Sequence, residues 1–154
     1  PLYMITILAV TDGFKHFGEA IDEYGKRLGK TIHLKPLKPI SHTNPEYIKI
    51  KETTLIKESL KKLSGTIILL DERGKGMSTR DFTDMLEDGR NQSEDFIFII
   101  GGSYGIDLEL FADIPHKTLR ISDFVMPHSL VLLVLIEQIY RAHEIMKGSG
   151  YHHS

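Results

Sequence analysis

The residues best placed to do chemistry sit at the end of one apolar run. Phe96-Ile97-Phe98-Ile99-Ile100 leads straight into Gly101-Gly102-Ser103-Tyr104-Gly105. Glycines at 101 and 102 open backbone conformations barred to other residues and let a ligand approach bare main chain. In open α/β sheets, ligands bind just beyond the carboxyl ends of strands. A buried strand ending in Gly-Gly is therefore a candidate site, although the same pattern also marks a tight turn. The chain has no cysteine, which removes disulfides, thiolate metal sites and thiol nucleophiles from consideration.

Three other motifs imitate known chemistry and fail on spacing. Gly29-Lys30-Thr31 resembles the end of a phosphate-binding loop, but Tyr24 stands where its first glycine belongs. It also follows a helical pattern and precedes a strand, the reverse of the required order. Gly74 and Gly76 begin a Gly-x-Gly-x-x pattern, yet Thr79 replaces the third glycine, so a dinucleotide fingerprint is unsupported. His143-Glu144 opens like a zinc-protease motif, but Lys147 occupies the second histidine position. His16, His33, His42 and His116 are scattered and expected in solvent.

The elements that would position the glycine turn alternate along the chain. Apolar runs predict buried strands over Met4–Val10, Ile32–Leu37, Thr66–Leu70 and Phe96–Ile100, and a less apolar one over Lys117–Ile121. Phe17, Ala20, Ile21, Tyr24 and Leu28 repeat at helical spacing and predict an amphipathic helix over His16–Leu28, with Gly29 as its C-cap. Lys38–Pro45 reads as a loop. Glu46–Leu63 reads as a lysine-rich helix with its lysines in water. Asp71–Met77 reads as a loop, and Ser78 with Asp81 as a capping box opening a helix through Asp88. Leu108–Ile114 reads as a short helix and Ser122–Pro127 as a loop.

The segment His128–Met146 is β-rich by propensity in its first half, yet it runs into Arg-Ala-His-Glu-Ile-Met at helical spacing. It is read as a helix, apolar nearly all round, which needs burial on more than one side. One domain offers one side and a second copy of the chain the other, so an isologous dimer built on this helix is expected.

At 154 residues and 41% apolar, the chain fits a single domain over 1–154. The longest apolar run, Leu130–Ile136, is too short to cross a bilayer. With no charged leader pattern, a cytoplasmic location is expected. The net charge of −2 hides a split: residues 1–66 carry 11 Lys/Arg against 7 Asp/Glu, and residues 67–154 carry 8 against 14. A basic first half is compatible with a phosphate-rich partner. Strands alternating with helices give an α/β fold with a mostly parallel sheet flanked by helices. Periodicity alone leaves a flavodoxin-like sheet and a knotted sheet both open.

Beyond fold class, several segments resemble one family. They are Leu69-Leu70-Asp71, Ile100-Gly101-Gly102-Ser103-Tyr104-Gly105, Met126-Pro127-His128, Ile136-Glu137-Gln138-Ile139-Tyr140-Arg141-Ala142 and terminal Tyr151-His152. Ile5–Val10, Glu23-Tyr24 and Lys26-Arg27-Leu28 are similar too, less specifically. The family is the bacterial SPOUT-class methyltransferases that methylate a pseudouridine of large-subunit (23S) ribosomal RNA at its third ring nitrogen.

The resemblance implies a C-terminal trefoil knot, a rare exception to unknotted chains, a homodimer, and S-adenosyl-L-methionine as methyl donor. By position in the motifs, the donor would meet Leu70, the turn at Gly101 and Gly102, and the loop Ile121, Ser122, Asp123, Phe124, Val125 and Met126. Methyl transfer from a sulfonium needs alignment and loss of the ring-nitrogen proton, but no metal. On that chemistry, acid/base or orienting work is assigned to His128 and His152, and stabilisation of charge on the ring oxygens to Arg141, a role the family match favours. Tyr151 would stack on the base. Plainer roles stand beside these: His128 as a helix cap, and Arg141 as the i, i+4 partner of Glu137.

The chain departs from the family at Leu132, where an arginine is usual, near Thr53, where a glycine is common, and at Thr11-Asp12-Gly13, which replaces a basic Gly-Lys. The leading expectation is an enzyme acting on ribosomal RNA, with the assembled ribosome as the expected acceptor. Three alternatives accompany it: another RNA position, a donor-binding dimer without catalysis, and a flavodoxin-like binding module.

Overall fold

The computed structural model describes residues 3–14 and 16–152. Five strands form one sheet in the order β2-β1-β4-β3-β5: β1 (Ile5–Val10), β2 (Ile32–Leu37), β3 (Thr66–Gly76), β4 (Phe96–Ile100) and β5 (Lys117–Arg120). All four pairings are parallel. A flavodoxin-like sheet runs 2-1-3-4-5; here β3 and β4 have changed places, which removes that alternative. The helices are α1 (Gly18–Leu28), α2 (Pro45–Leu60), α3 (Thr79–Asn91), α4 (Leu108–Phe111) and α5 (His128–Lys147).

Every residue of β1 and β4 is buried. Side chains alternate between faces along a strand, and the two cores follow that period of two. Ile5, Ile7 and Ala9 of β1, with Phe96, Phe98 and Ile100 of β4, face a core shared with α1, α3 and α5. Leu8, Val10, Ile97 and Ile99 face the other, closed by Ile56 and Leu60 of α2 and by Phe111 of α4. The edge strand β2 carries Pro36, whose missing N–H an edge position tolerates. Ser78 caps α3 through a bond from the Asp81 amide (3.0 Å), as the capping box requires.

Three expectations are corrected. Asp71–Gly76 is not a loop: β3 continues through it after an irregularity between Leu70 and Lys75, and Lys75 and Gly76 pair with Leu119 and Arg120 of β5. Charged residues and two glycines argue locally for a loop, but a long-range strand partner overrides them. Lys57 of α2 does not simply point into water; its ammonium donates to the Leu110 carbonyl (2.8 Å) and pairs with Asp113. His116 is half-buried, edge-on to Phe111, with Nδ1 2.6 Å from the Ile114 carbonyl.

Helix α5 buries Leu132, Leu135, Ile136, Ile139 and Ala142 against α1 and α3, while Leu130, Val131, Leu133 and Val134 stay half-buried. No helix is long and apolar enough to cross a membrane, among the described residues.

Gly89 of α3 lies against the ring of Phe96, and a Cβ there would fall inside van der Waals contact with the ring edge. Overpacking of this kind costs about 1–3 kcal/mol, which the ~1 kcal/mol helix preference of alanine over glycine offsets only in part. Gly89→Ala should lower the urea midpoint; a raised midpoint would mean the ring moves aside freely.

Candidate functional site

The irregular middle of β3 and the carboxyl ends of β4 and β5 converge on one cleft of about 490 Å³, within the range of small-molecule sites. Leu70 closes it from β3, and Gly101 and Gly102 from the turn after β4. Ile121, Ser122, Phe124, Val125 and Met126 close it from the loop after β5. Asp123 does not line it: its carboxylate is exposed and pairs with Arg120 at 2.9 Å. Gly101 and Gly102 are buried, so the wall they make is main chain. At the rim, Arg73 binds Asp71 through Nε (2.9 Å) and Nη2 (2.7 Å), and this holds the Asp71 carboxyl below its usual range.

His128 opens α5, but it is not a cap: Pro127 holds that position, with no side-chain bond to the helix amides. Its imidazole lies at the wall of the cleft instead, with Nε2 3.4 Å from Ser103 Oγ. Burial pulls its pKa below the usual 6.5, which favours the neutral imidazole. A second cleft of about 310 Å³ meets the first at His128 and at Gly102–Tyr104.

Arg141, Tyr151 and His152 form a separate cluster near the other end of α5. Arg141 donates to Glu137 through Nε (3.1 Å) and Nη2 (2.8 Å), and its Nη1 donates to His152 Nδ1 (3.2 Å). Tyr151 donates to the same Glu137 carboxylate (3.2 Å) and lies under the guanidinium, 4.7 Å from ring centroid to Cζ. The i, i+4 pairing of Arg141 with Glu137 is therefore present, and it holds the tail residues to the helix. Arg141 lies thirteen positions after His128 on one helix, about 20 Å at 1.5 Å per residue. Within one chain these groups do not meet.

A family model described as predicted SPOUT methyltransferase matches residues 4–152. The chain belongs to the SPOUT methyltransferase family. Relatives of this SPOUT chain include proteins named ribosomal RNA large subunit methyltransferase H from Clostridium botulinum. The one from strain Okra is 35% identical over 146 residues, covering 90% of this chain and 91% of its own. The one from strain Loch Maree is 34% identical over the same span. Among solved structures, a protein from Neisseria gonorrhoeae assigned to a methylase family shares the fold, with a TM-score of 0.55 at 15% identity. That match covers 90% of this chain and 81% of the other.

Against the family pattern, Leu132 of this SPOUT chain is 1% exposed and packs in the core, away from the cleft. Thr53 ties α2 to the turn before α4, donating to the Lys49 carbonyl (2.7 Å) and accepting from the Asp107 amide (3.0 Å). His143 is structural: its Nδ1 lies 2.7 Å from the Ile139 carbonyl, and Nε2 meets the Tyr3 hydroxyl. Among the described residues, no three His, Asp or Glu gather as metal ligands. Glu52 is the residue that the sequence did not single out. It is 2% exposed, its Oε2 accepts from the Ile40 amide (3.0 Å), and its Oε1 has no partner among the described residues. Burial raises its pKa.

Because the folded pKa of His128 lies below its unfolded value, the unfolded chain binds more protons as pH falls below about 6.5. The stability that neutral His128 contributes is present above that value and lost on acidification. Urea melts at pH 7.5 and 5.5 should show a smaller acid loss in His128→Gln than in the parent. Equal losses would mean the imidazole is solvated.

Proposed function

We propose that this chain is an S-adenosyl-L-methionine-dependent methyltransferase of large-subunit (23S) ribosomal RNA. In this reading it methylates the N3 of a pseudouridine and acts as a homodimer through α5. The observation that carries the reading is the cleft at the middle of β3 and the ends of β4 and β5, in a chain whose relatives bear the name of such an enzyme.

The donor fits that cleft on two grounds. Gly101 and Gly102 leave the main chain bare where a bulky adenosine could lie, and the loop at Ile121–Met126 offers further backbone and apolar surface. Bound there, S-adenosylmethionine supplies an electrophilic methyl whose transfer leaves a neutral thioether. The protein's own tasks are alignment and removal of the N3 proton from a weakly acidic imide. Neutral His128 at the cleft wall is suited to take that proton. Arg141 is suited to stabilise charge on the ring oxygens, Tyr151 to bracket the base, and His152 to orient it.

A second copy resolves the separation along α5. Leu130, Val131, Leu133 and Val134 leave an apolar face half-covered, and a two-fold pairing on it can run the helices in opposite directions. The partner's Arg141 then approaches His128. The reading of a C-terminal trefoil knot is supported by strand pairing. Leu119 of β5 pairs with both Leu70 and Lys75, which leaves residues 71–74 unpaired between two stretches of β3 that both lie beside β5, and α5 packs back on α1 and α3. The excess of Lys and Arg in residues 1–66 suits a phosphate-rich acceptor such as the ribosome.

Incubating the protein with donor and ribosomes lacking the modification, then measuring nucleosides by mass spectrometry, should give 3-methylpseudouridine. Heat of donor binding without any methylated nucleoside would identify a silent binder instead. Arg141→Ala should lower kcat by about 100-fold or more with dimers intact in sedimentation; unchanged turnover removes it from this scheme.

A further inference from the structure

We propose that the second cleft receives the acceptor base, and that Glu52 at its floor reads the N1–H that distinguishes pseudouridine from uridine. This rests on the methyl-transfer reading above and assigns a place and a specificity residue that it leaves open. The second cleft is walled by the Thr11–Gly13 loop after β1, by Pro39–Ile40 and by Pro127–Ser129. It shares Gly102, Ser103, Tyr104 and His128 with the donor cleft. A ring in the second cleft thus lies across the glycine turn from a donor in the first, with the neutral imidazole of His128 between them. Its volume of about 310 Å³ suits one base.

Glu52 reaches this cleft from α2. Its Oε2 is used by the Ile40 amide, while Oε1, equally buried, has no partner among the described residues. A buried acceptor left unpaired is costly, so a group retained in that state asks for a partner that arrives later. The missing side chain at Gly102 is part of the arrangement, because a Cβ there would collide with Oε1. In its ionised form, which the Ile40 amide favours and burial opposes, the carboxylate offers only acceptors, and the group it then awaits is an N–H or O–H donor.

Pseudouridine carries such a donor. Its ribose is attached through carbon, which leaves N1–H free, whereas in uridine N1 bears the ribose. N1 and N3 flank the same carbonyl carbon, so a ring held through N1–H at the floor turns its N3 edge toward another wall of the cleft. Uridine in the same place would leave Oε1 unpaired, and a site built to bind an N–H strongly rejects the analogue without it.

Glu52→Gln tests this directly. Its amide oxygen keeps the Ile40 bond, and its NH₂ meets the base N–H donor to donor. Initial rates are measured on ribosomes carrying pseudouridine at the target and on ribosomes carrying uridine there, from a strain lacking the pseudouridine-forming enzyme. The parent should prefer pseudouridine, and Glu52→Gln should lower that ratio of kcat/KM at least tenfold, with the loss on the pseudouridine arm. Donor affinity by calorimetry should be unchanged. Ser129→Tyr, which puts a ring into the second cleft from the start of α5, should abolish methylation while donor heat persists. An unchanged ratio in Glu52→Gln, or normal methylation by Ser129→Tyr, overturns the proposal and leaves the methyltransferase reading standing. A parent that binds donor yet methylates neither ribosome overturns that reading, and the proposal falls with it.

Discussion

A parallel sheet with both faces covered can offer a ligand only the ends of its strands. Every residue of β1 and β4 is buried, so the chemistry falls to the turns and loops at the strand ends. Main chain is prominent there, because the turn after β4 opens with Gly101 and Gly102, where an added Cβ would press on Ile106 and Glu52. Every other feature of the site answers to that restriction. The cleft is walled by the middle of β3 and the ends of β4 and β5, side chains enter only from flanking loops and helix starts, and the polar groups that matter are few.

The glycine turn also serves as a partition. One of its sides faces the loop after β5, and the other faces the loops after β1 and β2. His128 stands where the two spaces meet because Pro127 stops the preceding loop and α5 begins at that point. The same helix then carries Arg141 and the tail cluster well away from the cleft. The stiffness of α5 makes it a spacer: nothing within one chain shortens the distance, and the half-covered apolar face is the feature that a second copy would use.

Much of this is legible in the sequence where local pattern and burial agree. The runs Ile5–Val10 and Phe96–Ile100 are apolar at nearly every position because both faces are covered, and the turn at Gly101-Gly102 marks its own place. Helix α5 reads correctly despite β-rich residues, since the helical spacing of Ile136, Ile139 and Ala142 sets its buried face. Strand order does not read at all, because exchanging β3 and β4 leaves every local pattern intact. The extension of β3 over Asp71–Gly76 is hidden for a related reason: it exists through pairing with Leu119 and Arg120, far along the chain. Glu52 is hidden because a glutamate among lysines on a helix looks solvated. Its burial comes from the Pro39–Ile40 loop and the Gly102 turn closing on it from elsewhere in the chain.

In the proposed dimer, a working site joins the strand-end cleft of one chain to the tail cluster of the other. Co-expressing a His128→Ala chain with an Arg141→Ala chain measures this most directly. Each homodimer lacks one half of both sites, whereas a mixed dimer rebuilds one intact site from its two unmutated halves. With random pairing, half the dimers are mixed, so methylation of ribosomes should recover to about a quarter of the parental rate. Mixtures as inactive as either variant alone would contradict the account and place the whole site within a single chain.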